Sequence, residues 1–288
     1  MTMHSHEVPA VEYARLVATA LSEDLLPMGD VSAHLVDAAL MATATFRSRS
    51  VGVLAGTAFI TETARQVDPS ISTDLLLVDG SLLRVGGVVG TWHGPLRSIL
   101  AAERTALNFL CHLSGVASTT RDYVDAVVGQ CSVLDTRKTT PGLRSVEKAA
   151  VRAGGGRNHR GSLSEMVMLK DNHLTGVSIG EGVERARTLW PYRTIEVECD
   201  DLVQVEEALE AGADAVLLDN MSHEEVSSAV AVVEQWRSKG LRCLIEVSGG
   251  ITLDTIAGYA SLGADGISVG ALTHSARAHD IGLDIASD

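Results

Sequence analysis

The chain has 288 residues, 45% apolar and only 3% aromatic, with a formal net charge of −14. That length allows one large domain or two ordinary ones, with an Ala, Val, Leu and Ile core of the kind buried parallel strands need. The acidic balance and scarce aromatics exclude a broad nucleic-acid or anionic-membrane surface, which needs a basic face and rings for stacking.

The first twelve residues hold no apolar core of a signal peptide, and no run of 18 apolar residues occurs, so neither a signal peptide nor a membrane span is expected. Cys111, Cys131, Cys199 and Cys243 show no CxxC spacing, which argues against structural zinc and for a reduced, cytoplasmic setting. Residues 11–26 read as a helix with Ala14, Val17, Leu21 and Leu25 on one face. Between 40 and 95 the pattern predicts short strands at 44–50, 52–58, 75–78, 82–85 and 88–93, with Asp79-Gly80 as a hairpin turn. After Pro95 a long helix follows, its apolar face carrying Ile99, Ala102, Ala106, Phe109 and Leu113.

From about residue 130, strands predicted at 132–134, 166–169, 194–197, 215–218, 244–247 and 266–269 alternate with helices. One helix has a capping box, Ser222 with Glu225, and Gly240 just past its end. Gly212-Ala213-Asp214 and Gly263-Ala264-Asp265 repeat one helix-to-strand turn. This alternation predicts a parallel sheet with right-handed crossovers, closed or nearly closed into a barrel, with an open doubly wound sheet as the alternative.

Each of these strands ends in polar residues: Asp135, Arg137 and Lys138; Lys170; Glu196 and Glu198; Asp219; Glu246 and Ser248; Ser268 and Gly270. In parallel α/β barrels the active site lies at the C-terminal strand ends, so six polar termini in register predict a catalytic mouth. Residues 137–170 hold eight cations (Arg137, Lys138, Arg144, Lys148, Arg152, Arg157, Arg160 and Lys170) against Glu147 and Glu165. Such crowding predicts an anionic ligand among them.

Ser248-Gly249-Gly250 and Val269-Gly270-Ala271 match a phosphate cradle of backbone N–H groups after the last two strands. Glu196 and Glu198, two apart on one strand, point to the same inner face. Glu198 with Asp219 suits Mg²⁺ or a developing positive charge, whereas Glu196 and Glu246 are expected to neutralise a buried Lys or Arg. His159 and His173 lack zinc spacing and read as donors to an anion. A phosphorylated sugar carrying a pyrophosphate, with an anionic acceptor, would use this whole set.

The runs DTRKTTPGLR (135–144), EKAAVRAGGGRNHR (147–160), LKDNH (169–173), IEVE (195–198), LLDN (217–220) and SVGALTHSA (268–276) resemble the quinolinate phosphoribosyltransferase family, the carboxylating nicotinate-nucleotide pyrophosphorylases. RSRSVGVLAG (47–56) and ERTALNFLCHLSG (103–115) extend the likeness into the first half. The resemblance implies an N-terminal α/β sandwich (1–115), an incomplete parallel α/β barrel (116–274) and a C-terminal segment (275–288) packing back on the first domain. It implies the substrates quinolinate and phosphoribosyl pyrophosphate, Mg²⁺, and a homodimer with shared sites.

By that likeness Arg137, His159, Arg160 and Lys170 bind the pyridine dicarboxylate beside Thr136, and Lys138 lies between the substrates. Arg104, and with it Arg49, reaches in from the partner subunit. Glu198 and Asp219 meet the ribose hydroxyls and Mg²⁺, and residues 248–250 and 269–271 hold the 5′-phosphate. Lys138, Glu198 and Asp219 are the expected catalytic residues. Two other readings are a paralogue associated with molybdenum transport, from which the intact NHR and KDNH runs separate this chain, and a Schiff-base lyase using Lys138 or Lys170.

Overall fold

A computed structural model describes residues 8–287, which divide into two units: residues 8–121, 145–155 and 276–287, and residues 122–144 with 156–275. The first unit begins with α1 (Ala10–Leu25) and is built on β1 (Met41–Ser48), β3 (Ser72–Leu75), β5 (Val88–Pro95) and β12 (Ile281–Ser287). These four form an antiparallel sheet in the order β12-β1-β5-β3, so the chain's last strand pairs with its first along seven residues. Phe46 and Trp92 meet edge to face on this sheet, against Ile99, Ala102, Ala106 and Leu110 of α3 (Leu96–Ala126).

The strand expected at 75–78 lies earlier, as β3, and two further elements differ from the sequence reading. Residues 52–58 do not form one strand: β2 (Gly52–Val53) is followed by α2 (Thr57–Val67), a helix the strand-rich reading missed. Its Thr and Ile residues favour strands, but Phe59, Ile60, Thr63 and Ala64 fall at helical spacing and are buried. The second difference explains the first. Asp79 caps α2 from a distance, accepting the N–H groups of Gly56 (3.0 Å) and Thr57 (2.9 Å) and the Thr57 hydroxyl (2.8 Å). Asp79-Gly80 therefore joins no hairpin, since β3 pairs with β5, and β4 (Leu82–Leu83) pairs with β2.

The second unit is a parallel sheet of β6 (Ser132–Leu134), β7 (Val167–Leu169), β8 (Ile195–Cys199), β9 (Ala215–Asp219), β10 (Leu244–Ser248) and β11 (Gly266–Ser268). Their order is β6-β11-β10-β9-β8-β7. That is chain order read around a circle, with β6 returning to β11. Among the described residues β6 and β7 do not pair, so the sheet is an α/β barrel with one seam open.

Helices α5 (Ile179–Leu189), α6 (Leu202–Glu210), α7 (His223–Ser238) and α8 (Leu253–Ala260) make the crossovers. The α7 capping box forms as expected, and Gly240 takes the left-handed φ of 99°. The repeated Gly-Ala-Asp turn has a shared device. Asp214 accepts the Ile195 N–H (2.7 Å) and pairs with Arg187 (2.7 Å), while Asp265 accepts the Ile245 N–H (2.8 Å) and pairs with Arg237 (2.5 Å). Each Asp thus ties the start of its own strand to the strand before it, at the end of the barrel opposite the site. No helix among the described residues is long and apolar enough to cross a membrane.

The open seam is partly filled by the segment after α4 (Arg144–Ala153). Arg157 bridges Leu134 in parallel, donating to Val133 O (2.8 Å) and accepting from Asp135 N (3.1 Å). Buried Asp135 then takes the Asn158 amide (2.5 Å) and the His159 N–H (2.9 Å). On the β7 side, Arg160 Nη1 donates to Met166 O (3.4 Å). The missing strand contact is therefore the route by which His159 and Arg160 enter the barrel.

Candidate active site

One polar residue from the end of each strand lines a single cavity of about 430 Å³: Asp135, Lys170, Glu198, Asp219, Ser248 and Ser268. Thr136, Arg137, Lys138, His159, Arg160 and Glu246 complete its polar lining. The register of polar strand ends seen in the sequence thus becomes a mouth at the C-terminal side of the sheet. A second cavity, of about 230 Å³, shares Thr136, Lys138, Ser248 and Ser268 with the first and is otherwise lined by residues 249–252, 269–271 and His274. Gly249 (φ 95°) and Gly250 (φ 58°) hold left-handed backbone there, which turns the chain where larger side chains would be strained. The sequence reading gave His274 no role, although it lies four residues after Gly270.

The eight cations do not act as one cluster. Arg137, Lys138, Arg160 and Lys170 line the cavity. Arg144 is used structurally, donating to Arg137 O (3.3 Å), Gly161 O (3.2 Å) and Thr139 Oγ1 (3.0 Å). Lys148 and Arg152 lie on α4 in the first unit, and Arg157 is exposed. Arg104 also belongs to the first unit, on α3, with its guanidinium 4.0 Å from Glu103.

The cations that line the cavity are short of negative partners. Arg160 is buried, yet among the described residues its guanidinium hydrogen-bonds only Met166 O and Met168 Sδ (3.3 Å), with Glu196 and Glu198 acting on it through charge alone. Burial, then the nearby charge of Arg137, holds it below its ordinary pKa. Arg137 has its Nε buried and unpartnered, and no carboxylate lies within ion-pair distance of it among the described residues. Lys170 is the exception, bound to Glu198. Two neighbouring arginines with no carboxylate in ion-pair contact create a demand for an anion, and their forked donors suit carboxylates.

Glu196 and Glu246 are buried, but the expected Lys or Arg partner is instead a histidine. His159 Nε2 lies 3.2 Å from a carboxylate oxygen of each. His159 Nδ1 lies 2.7 Å from the Arg160 backbone nitrogen, and Nε2 faces both carboxylates, so the cluster's proton is held between Nε2 and the carboxylates. Burial opposes charge on the ring, but the hydrogen bonds it donates to Glu196 and Glu246, with the charges of those carboxylates, outweigh it and push His159 up to about 10. Burial likewise raises Glu196. His173, also expected to meet an anion, instead accepts the Lys170 N–H at Nδ1 (3.1 Å).

This cluster gives a signed prediction. The folded chain keeps a proton that an unfolded imidazole releases near pH 6.5, so stability is full below that pH and is lost as pH rises toward about 10. From pH 7 to 9 the wild-type melting temperature should fall, with the cluster contributing on the order of 1 kcal/mol per pH unit. Glu246→Gln should flatten the slope. Equal slopes in melts of the two proteins would show that the cluster does not hold the proton.

Two domain profiles match the chain: Quinolinate phosphoribosyl transferase, N-terminal domain, over residues 30–114, and Quinolinate phosphoribosyl transferase, C-terminal domain, over residues 116–284. The probable nicotinate-nucleotide pyrophosphorylase (carboxylating) of Bacillus subtilis is 38% identical over 260 residues, covering 89% of this chain and 88% of that protein. The nicotinate-nucleotide pyrophosphorylase (carboxylating) of Mycobacterium leprae is 38% identical over 277 residues, covering 93% and 95%. The solved structure of the nicotinate-nucleotide pyrophosphorylase from Francisella tularensis matches with a TM-score of 0.92 at 36% identity, over 99% of this chain and 100% of that one. With both domain profiles matched in order and relatives aligned along nearly the whole length, the chain belongs to the quinolinate phosphoribosyl transferase family.

Proposed function

We propose that the protein transfers the phosphoribosyl group of 5-phosphoribosyl 1-pyrophosphate to the ring nitrogen of quinolinate. Decarboxylation follows, giving nicotinate mononucleotide, CO₂ and pyrophosphate, a step of NAD biosynthesis. The observation that carries this reading is the Arg137–Arg160 pair on the cavity wall, neither guanidinium in ion-pair contact with a carboxylate among the described residues, where a planar dicarboxylate can supply the missing contacts. The names of the relatives point the same way.

In this reading Arg137, Arg160 and Lys170 grip the two carboxylates, with His159 and Thr136 beside them. The phosphoribosyl half lies across the shared wall of the two cavities, its 5′-phosphate on the N–H groups of residues 248–250 and 269–271. Glu198 and Asp219 accept from the ribose hydroxyls and face the positive charge that develops at C1 as pyrophosphate departs. Lys138 neutralises the leaving group. Loss of CO₂ leaves an electron pair at C2 of the ring, stabilised by the adjacent cationic nitrogen, and a proton from solvent fills it.

The donor set fits Mg²⁺. Glu198 gives one oxygen to Lys170 and Asp219 gives one to Asn220, which leaves each carboxylate a second, hard oxygen. Magnesium held by these two residues and by substrate oxygens would offset the charge of the pyrophosphate. We further propose a homodimer in which Arg104, and with it Arg49, completes the site of the partner. Both side chains are more than half exposed on the first unit, where an intermolecular contact can reach them. Four free thiols suit a cytoplasmic setting.

Incubation with quinolinate, phosphoribosyl pyrophosphate and Mg²⁺ should yield nicotinate mononucleotide by mass. A product retaining both carboxylates, or no product, would count against the proposal.

A further inference from the structure

Among the described residues, positive φ is held by thirteen glycines and only two other residues, Val128 and Asn220. Asn220 (φ 54°) directly follows Asp219 at the end of β9. Asparagine takes left-handed backbone more readily than other residues with a side chain, and unlike glycine it brings an amide to the turn. Its Nδ2 donates to Asp219 Oδ2 (2.6 Å), and its backbone N–H donates to Ser248 O (3.0 Å). The amide also packs against the glycine turn: a Cβ built on Gly249 would lie 2.6 Å from both Cγ and N of Asn220. One residue therefore contacts the carboxylate at the end of β9 and the turn at the end of β10.

We infer that Asn220 is a positioning residue for the phosphoribosyl half of the substrate. The inference rests on the proposed reaction. Ribose hydroxyls and 5′-phosphate are joined by a short covalent link, so Asp219 and the Ser248-Gly249-Gly250 turn must stand at a fixed separation before the ligand arrives. Asn220 sets that separation by packing on Gly249. It also sets the carboxylate rotamer, committing Oδ2 and leaving Oδ1 to accept from the sugar. Fixing a ligating group in advance lowers the cost of ordering it on binding. Because Asn220 is exposed, its side chain contributes little to the core, and its loss should act on the ligand rather than on the fold.

The test is Asn220→Gly, which keeps the left-handed turn and removes only the amide, alongside Asn220→Asp, which keeps the shape but turns an oxygen toward Asp219 in place of the donor. With Mg²⁺ present, Asn220→Gly should raise the KM for phosphoribosyl pyrophosphate and the calorimetric Kd for ribose 5-phosphate by about tenfold or more. The Kd for quinolinate and the melting temperature should stay near wild type, and Asn220→Asp should lose at least as much affinity for the sugar phosphate. An unchanged ribose 5-phosphate Kd in Asn220→Gly would overturn the inference. So would equal losses for both ligands, or a large drop in melting temperature, since either marks a general structural role. If the wild type fails to turn over quinolinate but ribose 5-phosphate binding still weakens in Asn220→Gly, the proposed reaction falls and the positioning role stands.

Discussion

Lys138→Ala is expected to lower kcat/KM by roughly 10²–10³-fold, the loss typical of one donor aimed at charge that develops in a transition state. Its melting temperature should stay within a few degrees of wild type. The backbone around Lys138 is held without the side chain, since Lys138 N–H donates to Thr136 Oγ1 (3.0 Å) and the carbonyl accepts from Thr273 Oγ1 (2.8 Å). The alkyl stem passes over Gly270, where an added Cβ would lie 3.0 Å from Lys138 Cδ. The side chain thus lines both cavities and forms no ion pair among the described residues. A lysine that is dispensable for folding, and that the proposed reaction sets between acceptor and leaving group, should show its worth in kcat. Steady-state kinetics and a thermal melt on one preparation check both halves, and near-normal kcat/KM would remove Lys138 from the mechanism. Lys138→Arg should recover only part of the loss, because a planar fork does not replace a compact ammonium.

The site was legible in the sequence wherever its logic is local. A strand followed at once by Asp, Lys, Glu or Ser fixes which end of the barrel is polar, and six such junctions needed only alternation and register to be read. Glycine turns are local too, and 248–250 and 269–271 came together in one cavity. What escaped reading depends on residues far apart in the chain. α2 was hidden because its cap, Asp79, lies 22 residues beyond Thr57. The partner of Glu196 and Glu246 was hidden because His159 enters through a seam that no periodicity announces. Charge counting along 137–170 overstated the anion site, since Arg144 had been recruited to carbonyls and Lys148 and Arg152 to another unit. Asn220 was in plain sight inside LLDN, but its function depends on a left-handed φ that asparagine tolerates without advertising.

Mixing inactive Arg104→Ala and Lys170→Ala proteins should restore activity, to about a quarter of wild type at equal proportions, as expected for random exchange in a two-fold symmetric dimer with two shared sites. Each variant alone should be nearly inactive. Lys170→Ala removes a cation from the cavity and leaves Glu198 without its partner, so it damages the barrel that carries it. Arg104→Ala leaves every cavity residue of its own barrel in place and removes an exposed guanidinium from α3. In the proposed dimer, a hybrid pairs one intact barrel with one intact Arg104, and these two complete a single site. The second site of the same hybrid lacks both groups and stays silent. The measurement is activity after subunit exchange, with exchange itself verified by mass-tagged subunits. Recovery would show that Arg104 acts across subunits. If exchange is complete and no activity returns, Arg104 serves its own chain, and the shared-site proposal fails while the barrel chemistry is untouched.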